Sequence, residues 1–390
     1  GTAVQKILLS AQIALTLALV VASGLFTSSI QHVYEENLGV GIRGLSESSL
    51  SPLAGGYGGW APGPYYHQLL QKIQNLPDVQ SASLGNFAPF WTMPFEEPVA
   101  MIEGASGQTE VQAQPILITD QFVRTLGLRL LEGDGFRASE EQSSEPVALI
   151  SEPLARRLGG QRVIGSHIRV GTGEQFQHLK VTGIISNAQF SLVNPEDTEA
   201  SIVYLNFWRY PTGYPWVFVK TISGLPISSK ILRAAVHSLG REYVERYSTA
   251  AVEKDSALVE NRLLAYLSSA FALLGLCLAA VGLFGLLSYH VVSRTNEIGV
   301  RMALGAARSQ IRSLVVHQVV RVVLAGIVGG SLMLAGIGPL IRSFVYGIGV
   351  YDWRLLCLAI LILLLTSILA AWIPAQRAAS VEPLAALRHN

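Results

Sequence analysis

Cysteine is nearly missing from this chain of 390 residues: there are two, Cys277 and Cys357, and each falls inside a long apolar run. The polar part of the sequence has none, so disulfides do not hold it together and its own core must do so. Charge is scarce as well, at 14% of residues against 50% apolar, a membrane-leaning composition. Signatures of chemistry are also lacking. No G-x-x-x-x-G-K-[ST] occurs, so the sequence carries no phosphate-cradling loop. There is no H-E-x-x-H and no G-x-S-x-G, and His67, His167, His178 and His237 are scattered without cysteine partners or metal-ligand spacing. Glu140-Glu141 and Glu196-Asp197 sit in polar runs and read as solvated loop charge, while "GTGEQF", Gly171 to Phe176, reads as a hairpin turn. No catalytic, cofactor-binding or metal-ligating residue is nominated, which argues against a membrane-embedded enzyme.

What is present is four apolar runs, each long enough for a bilayer crossing of about 20 predominantly apolar residues. They extend from Ile7 to about Ser28, Leu263 to Leu287, Val322 to Leu340 and Leu355 to Ile373. The organisation that follows has residues 1–31 as a first transmembrane helix and 32–262 as one large domain outside the bilayer. Residues 263–289 form a stalk-connected second helix, 290–313 a cytoplasmic segment and 314–341 a third helix. A short outer loop (342–354), a fourth helix (355–373) and a cytoplasmic tail (374–390) complete it. The first run exceeds a signal-peptide core and its basic flank is only Lys6, so it reads as a retained span.

Charge assigns the sides. Residues 32–262 carry 18 Lys/Arg against 24 Asp/Glu, whereas the rest of the chain carries 10 against 3. The segment from His290 to Ser313 holds Arg294, Arg301, Arg308 and Arg312 against Glu297 alone. Short loops rich in Arg and Lys stay inside. This segment and both termini are therefore expected in the cytoplasm, and the large domain outside. Arg342 and Arg354 flank the short outer loop against that trend, with Asp352 between them. Arg321, one turn after His317, is expected to snorkel to the inner interface.

The outer domain alternates helix and strand patterns. Gly39 to Pro64 is rich in Gly, Ser and Pro and reads as a loop. Tyr66, Leu69, Leu70 and Ile73 have helical spacing, and Val79 to Leu84 alternates as a strand. "HLKVTGIIS", "SIVYLNF" and "WVFVKTI" read as strands; Ser151 to Leu158 and "ISSKILRAAVHSLGREY" read as helices. The expected class is a four-helix membrane protein with a large α+β extracytoplasmic domain in two lobes, the second inserted from about 115 to 200.

In the charged segment, Arg294, Glu297, Arg301, Arg308 and Arg312 fall within roughly 60° on a helical wheel. Glu297 and Arg301 make an i, i+4 pair in the favourable order. Gly299 costs about 1 kcal/mol relative to Ala inside a helix, which points to close approach by another backbone. Gly326 with Gly330, and Gly282 with Gly285, are small residues suited to transmembrane packing, including dimeric packing against a second unit.

"RTNEIGVRMALGA" (Arg294 to Ala306) together with "PAQRAASVEPLAALRHN" resembles the core of MacB/FtsX-type ABC transporter permeases. "LLSAQIALTLALVVASGLF", "LGLRLLEGDGF" and "PVALISEPLARRLGG" are similar to that family in the same order along the chain. The resemblance implies a MacB-like periplasmic domain and a cytoplasmic coupling helix docking on an ABC ATPase subunit. Arg294, Glu297, Gly299, Arg301, Met302, Gly305 and Ala306 would form the coupling surface. It implies no substrate path between the spans; ATP-driven motion passes up the second helix to the outer domain, for export or for control of a periplasmic partner. ATP and Mg²⁺ would sit on a partner ATPase. Other expected partners are a second permease unit (homodimer, heterodimer or tandem half), a periplasmic protein and membrane lipid, with no nucleic acid. The expected location is the bacterial inner membrane. The alternative is a receptor whose outer domain senses a ligand and signals through a partner at the same segment.

Overall fold

The computed structural model describes residues 2–35, 38–51, 62–90, 100–103, 110–137, 145–172, 175–190, 200–211, 214–240, 243–293, 308–342 and 353–379. The chain divides into two compact units, Gly1–Glu35 with Glu260–Asn390, and Glu36–Val259. In order, the elements are α1 (Thr2–Glu35), β1 (Leu45–Ser51), α2 (Pro62–Gln74), β2 (Val79–Gly85), β3 (Ala100–Glu103), β4 (Glu110–Ile118) and α3 (Phe122–Thr125). Next come β5 (Leu130–Gly133), β6 (Val147–Ser151), α4 (Glu152–Leu158), β7 (His167–Thr172), β8 (Gln175–Ile185), β9 (Ile202–Asn206) and β10 (Trp216–Thr221). The chain continues with α5 (Ser229–His237), β11 (Tyr243–Thr249), α6 (Ala250–Ala257), α7 (Val259–Ser293), α8 (Arg308–Arg342) and α9 (Trp353–Ala379).

The unit Glu36–Val259 joins two sheet motifs. Strands run in the order β11-β1-β10-β2, each antiparallel to its neighbour. With α2 between β1 and β2, and α5 between β10 and β11, this is a split β-α-β arrangement. One face packs on α2 and α5: Leu50, Ala82, Leu84, Val217 and Val219 meet Tyr66, Leu69, Ile73, Leu232 and Val236. The amphipathic spacing of Tyr66, Leu69, Leu70 and Ile73 is what turns α2 onto that face.

The second motif lies between β2 and β10. Its pairings run β4-β3-β7-β8-β6-β9 and return to β4, so six strands close on themselves as a small barrel. Closure removes the exposed edges an open sheet would present. Ala148, Ile150, Ile168, Val170, Leu179, Val181 and Val203 share its core with Leu154 and Ala155 of α4. The inserted lobe takes in β3 at Ala100–Glu103, ahead of the start expected near 115.

Other differences from the sequence reading have local causes. The stretch read as a loop contains β1, a central strand. Its sequence LSESSLS hides the strand because Ser46 is buried by hydrogen bonding, accepting from the Ile227 amide at 3.1 Å. The last helix read in the domain stops at His237, and Tyr243 already opens β11. The stalk leading to the second span is α6 and the start of α7, with Leu258 alone between the two helices.

Ser151 illustrates how side chains close the barrel. It precedes α4, yet its hydroxyl does not cap that helix; it donates to the Ala200 carbonyl and accepts from the Ile202 amide, both at 3.0 Å. Ser151→Ala strands a buried N–H, and we expect a loss of about 1–3 kcal/mol in outer-domain stability. Thermal unfolding of the purified chain, followed by circular dichroism in detergent, checks this.

Candidate functional site

Among the described residues, four helical runs are long and apolar enough to cross a membrane. In their unit the hub is α1. Its contacts with α7 pair Thr16 with Gly275, Ser23 with Ser269 (2.6 Å between hydroxyls) and Tyr34 with Arg262, whose guanidinium sits 5.6 Å from the ring centre. As numbers rise on α1 they fall on α7, so the two run antiparallel. The buried face of α7 includes Ala265, Ala272, Ala279 and Leu286, a seven-residue repeat of mostly small side chains that permits close packing.

Contacts of α1 with α8 run the other way. Ser10 donates to the Val322 carbonyl at 3.2 Å, and a Cβ placed on Gly326 would lie 2.6 Å from Ile13 and 3.0 Å from the Ser10 carbonyl. One on Gly330 would lie 2.8 Å from the Ala14 carbonyl oxygen. A Cβ on Gly282 of α7 would lie 2.6 Å from the Leu9 side chain, whereas one on Gly285 would meet nothing within 4 Å. The close approach that Gly282, Gly326 and Gly330 allow is therefore used against α1 of the same chain.

At 35 residues, α7 is roughly 50 Å long, against a hydrocarbon core of about 30 Å. It follows α6 after one residue, so the element that reaches the bilayer is joined almost directly to one seated on the outer domain's sheet. Thr249 caps α6, its hydroxyl accepting from the Val252 amide at 3.3 Å. Glu253 of α6 is buried and accepts from the Arg246 guanidinium of β11 at 2.7 Å. Beside this pair is Glu47 of β1, fully buried, with no hydrogen-bond partner for either carboxyl oxygen among the described residues. Burial, reinforced by the Glu253 charge and partly offset by Arg246, pushes its pKa up to about 8. Sequence reasoning missed Glu47 because it lay in the stretch read as loop; the one signal is its place between Leu45 and Leu50.

The expected coupling residues Arg294, Glu297, Gly299, Arg301, Met302, Gly305 and Ala306 lie outside the described residues. The helices on either side are longer than expected: α7 runs to Ser293 and α8 begins at Arg308, so both ends of the 290–313 segment belong to flanking helices. Cys277 and Cys357 are free thiols on exposed faces of α7 and α9. Among the described residues no three His, Cys, Asp or Glu side chains gather as a metal site. On the outer domain, His167 and Lys180 hydrogen-bond the exposed Glu145 and hold its carboxyl below the usual range.

The glycine contacts generate a paired prediction. Gly330→Leu forces α8 away from α1, and overpacking of this kind costs about 1–3 kcal/mol. Gly285→Leu meets open space and should stay within about 0.5 kcal/mol of wild type. Apparent melting temperatures of the two variants in one detergent separate these outcomes.

Comparison with known proteins places this architecture. Residues 9–229 match the MacB-like periplasmic core domain, and residues 269–383 match the FtsX-like permease C-terminal region. The macrolide export ATP-binding/permease protein MacB of Chromobacterium violaceum is 24% identical over 298 residues, which cover 71% of this chain and 44% of that protein. The chain thus spans less than half the length of that relative. The ABC transporter permease YknZ of Bacillus subtilis is 22% identical over 290 residues, covering 70% of this chain and 69% of YknZ. Among solved structures, the periplasmic region of MacB from Actinobacillus actinomycetemcomitans aligns with 58% of this chain and 97% of its own, at 12% identity and a TM-score of 0.37. Because the core-domain match takes in more than half of the chain and the permease match follows it in order, the chain belongs to the MacB/FtsX-type ABC transporter permease family.

Proposed function

We propose that this chain is the permease subunit of an ABC transporter and works by transmitting motion. An ATPase docks on the 290–313 segment, and closure of the ATPase pair is passed along α7, through Leu258 and α6, to the outer domain. The observation that carries this reading is the extent of the FtsX-like match, which takes in most of α7, the whole charged segment and both helices that follow. Glu297, Gly299, Arg301, Met302, Gly305 and Ala306, with Arg294, supply the docking face. ATP and Mg²⁺ belong to the ATPase, a separate polypeptide or a further part of a longer chain. The moving unit is a pair of permease units, in the inner membrane, with both termini of the chain inside by the distribution of Arg and Lys. The relative named for macrolide export favours export as the work done; control of a periplasmic partner is the other outlet of the same motion.

Co-purification in detergent with a candidate ATPase tests the docking face. Wild type should retain the ATPase, and Glu297→Arg and Gly299→Trp should each release it while the permease stays folded. Retention of the ATPase by both variants overturns the assignment.

A further inference from the structure

The face of the sheet opposite α2 and α5 carries a row across four strands, Ser83, Phe218, Glu47 and Ser248, all buried. It is covered by α3, whose Phe122 meets Phe218 edge-on at 5.5 Å, and by α6, which packs on β1 and β11. A carboxyl in the middle of such a row is unusual, because an ionised one would be both desolvated and without hydrogen bonds. The charged groups around it are few. From β11 comes Arg246, whose guanidinium is held by Glu253; from α6 come Glu253 and Lys254, both buried. On β10 the charged residue of the same face is Lys220, whose ammonium donates to the Gly41 carbonyl at 2.6 Å. The uncharged row neighbours Phe218 and Ser248 flank Glu47 directly.

We propose that Glu47 is a proton-linked latch for α6: with its proton it lets α6 seat on β1 and β11, and loss of that proton to solvent loosens α6, the helix that leads through Leu258 into α7. The inference goes beyond the permease reading and stands whether or not an ATPase docks. Its sign follows from linkage. Glu47 holds its proton far more tightly in the seated form, with a pKa near 8 against an ordinary 4.5. The seated form is therefore favoured fully below the ordinary value, loses that advantage as pH rises to about 8, and changes little above it.

The test is hydrogen exchange of the full chain in detergent, read by mass spectrometry on peptides covering residues 250–258 and corrected for intrinsic exchange. In wild type, opening of α6 should rise by up to about tenfold per pH unit between about 5 and 8. Peptides from β7 and β8 should show no such rise. Glu47→Gln, which keeps the shape and removes the titration, should give an α6 response flat with pH. Glu253→Gln releases Arg246 towards Glu47 and should shrink the wild-type response. Wild-type α6 protection that ignores pH, a rise that persists unchanged in Glu47→Gln, or a response unaltered by Glu253→Gln overturns the latch.

Discussion

Apolar side chains gain little by leaving lipid for one another, so helices in a bilayer are held by how closely their backbones approach. In this chain that constraint falls on α1. Ile13 and the Ala14 carbonyl come near enough to α8 that a side chain at 326 or 330 would push the two helices apart, and on the α7 side Gly275 and Gly282 lie against the side chains of Thr16 and Leu9. A first transmembrane helix in such a place is more than an anchor: it is the common partner of helices running in both directions. Sequence alone offered Gly326 and Gly330 as a seam towards a second unit, but the pattern says only that some backbone comes close. Which backbone it is depends on tertiary arrangement.

The outer domain solves a different problem, that of a disulfide-free fold of more than two hundred residues. It builds two cores in series, one beneath a split β-α-β sheet and one inside a closed barrel inserted between β2 and β10. The barrel leaves the first and last strands of the split motif side by side, β1 against β11. Chain entering after α1 and chain leaving through α6 therefore meet on neighbouring strands. A force on α6 meets the split sheet at β11, through the Arg246–Glu253 pair, and at β1, on which α6 packs.

Legibility in the sequence followed the physics of each element. The four spans were plain because so long an apolar run suits a bilayer and little else. The α2 helix and strand β2 showed their periods, 3.6 and 2, and the segments of β8, β9 and β10 were read as strands too. Strand β1 did not, since its buried positions are serines and a glutamate. Nor did the α6–α7 break, because Leu258 carries no Pro or Gly signal and Ala250 to Ser293 is helix-compatible throughout. The family resemblance of the charged segment agrees with the FtsX-like match across it. Glu47 was illegible for a deeper reason: a glutamate's burial depends on which element covers it, and α6 lies some two hundred residues further along the chain.

Distance measurement between spin labels addresses the central claim most directly. With Cys277 and Cys357 replaced by serine, Val252→Cys places a single label on an exposed position of α6 in each permease unit of the ATPase-bound assembly. If motion passes through α7 into the outer domain, the label-to-label distance distribution shifts between the nucleotide-free and ATP-bound states. An unchanged distribution in an assembly that hydrolyses ATP would contradict the account.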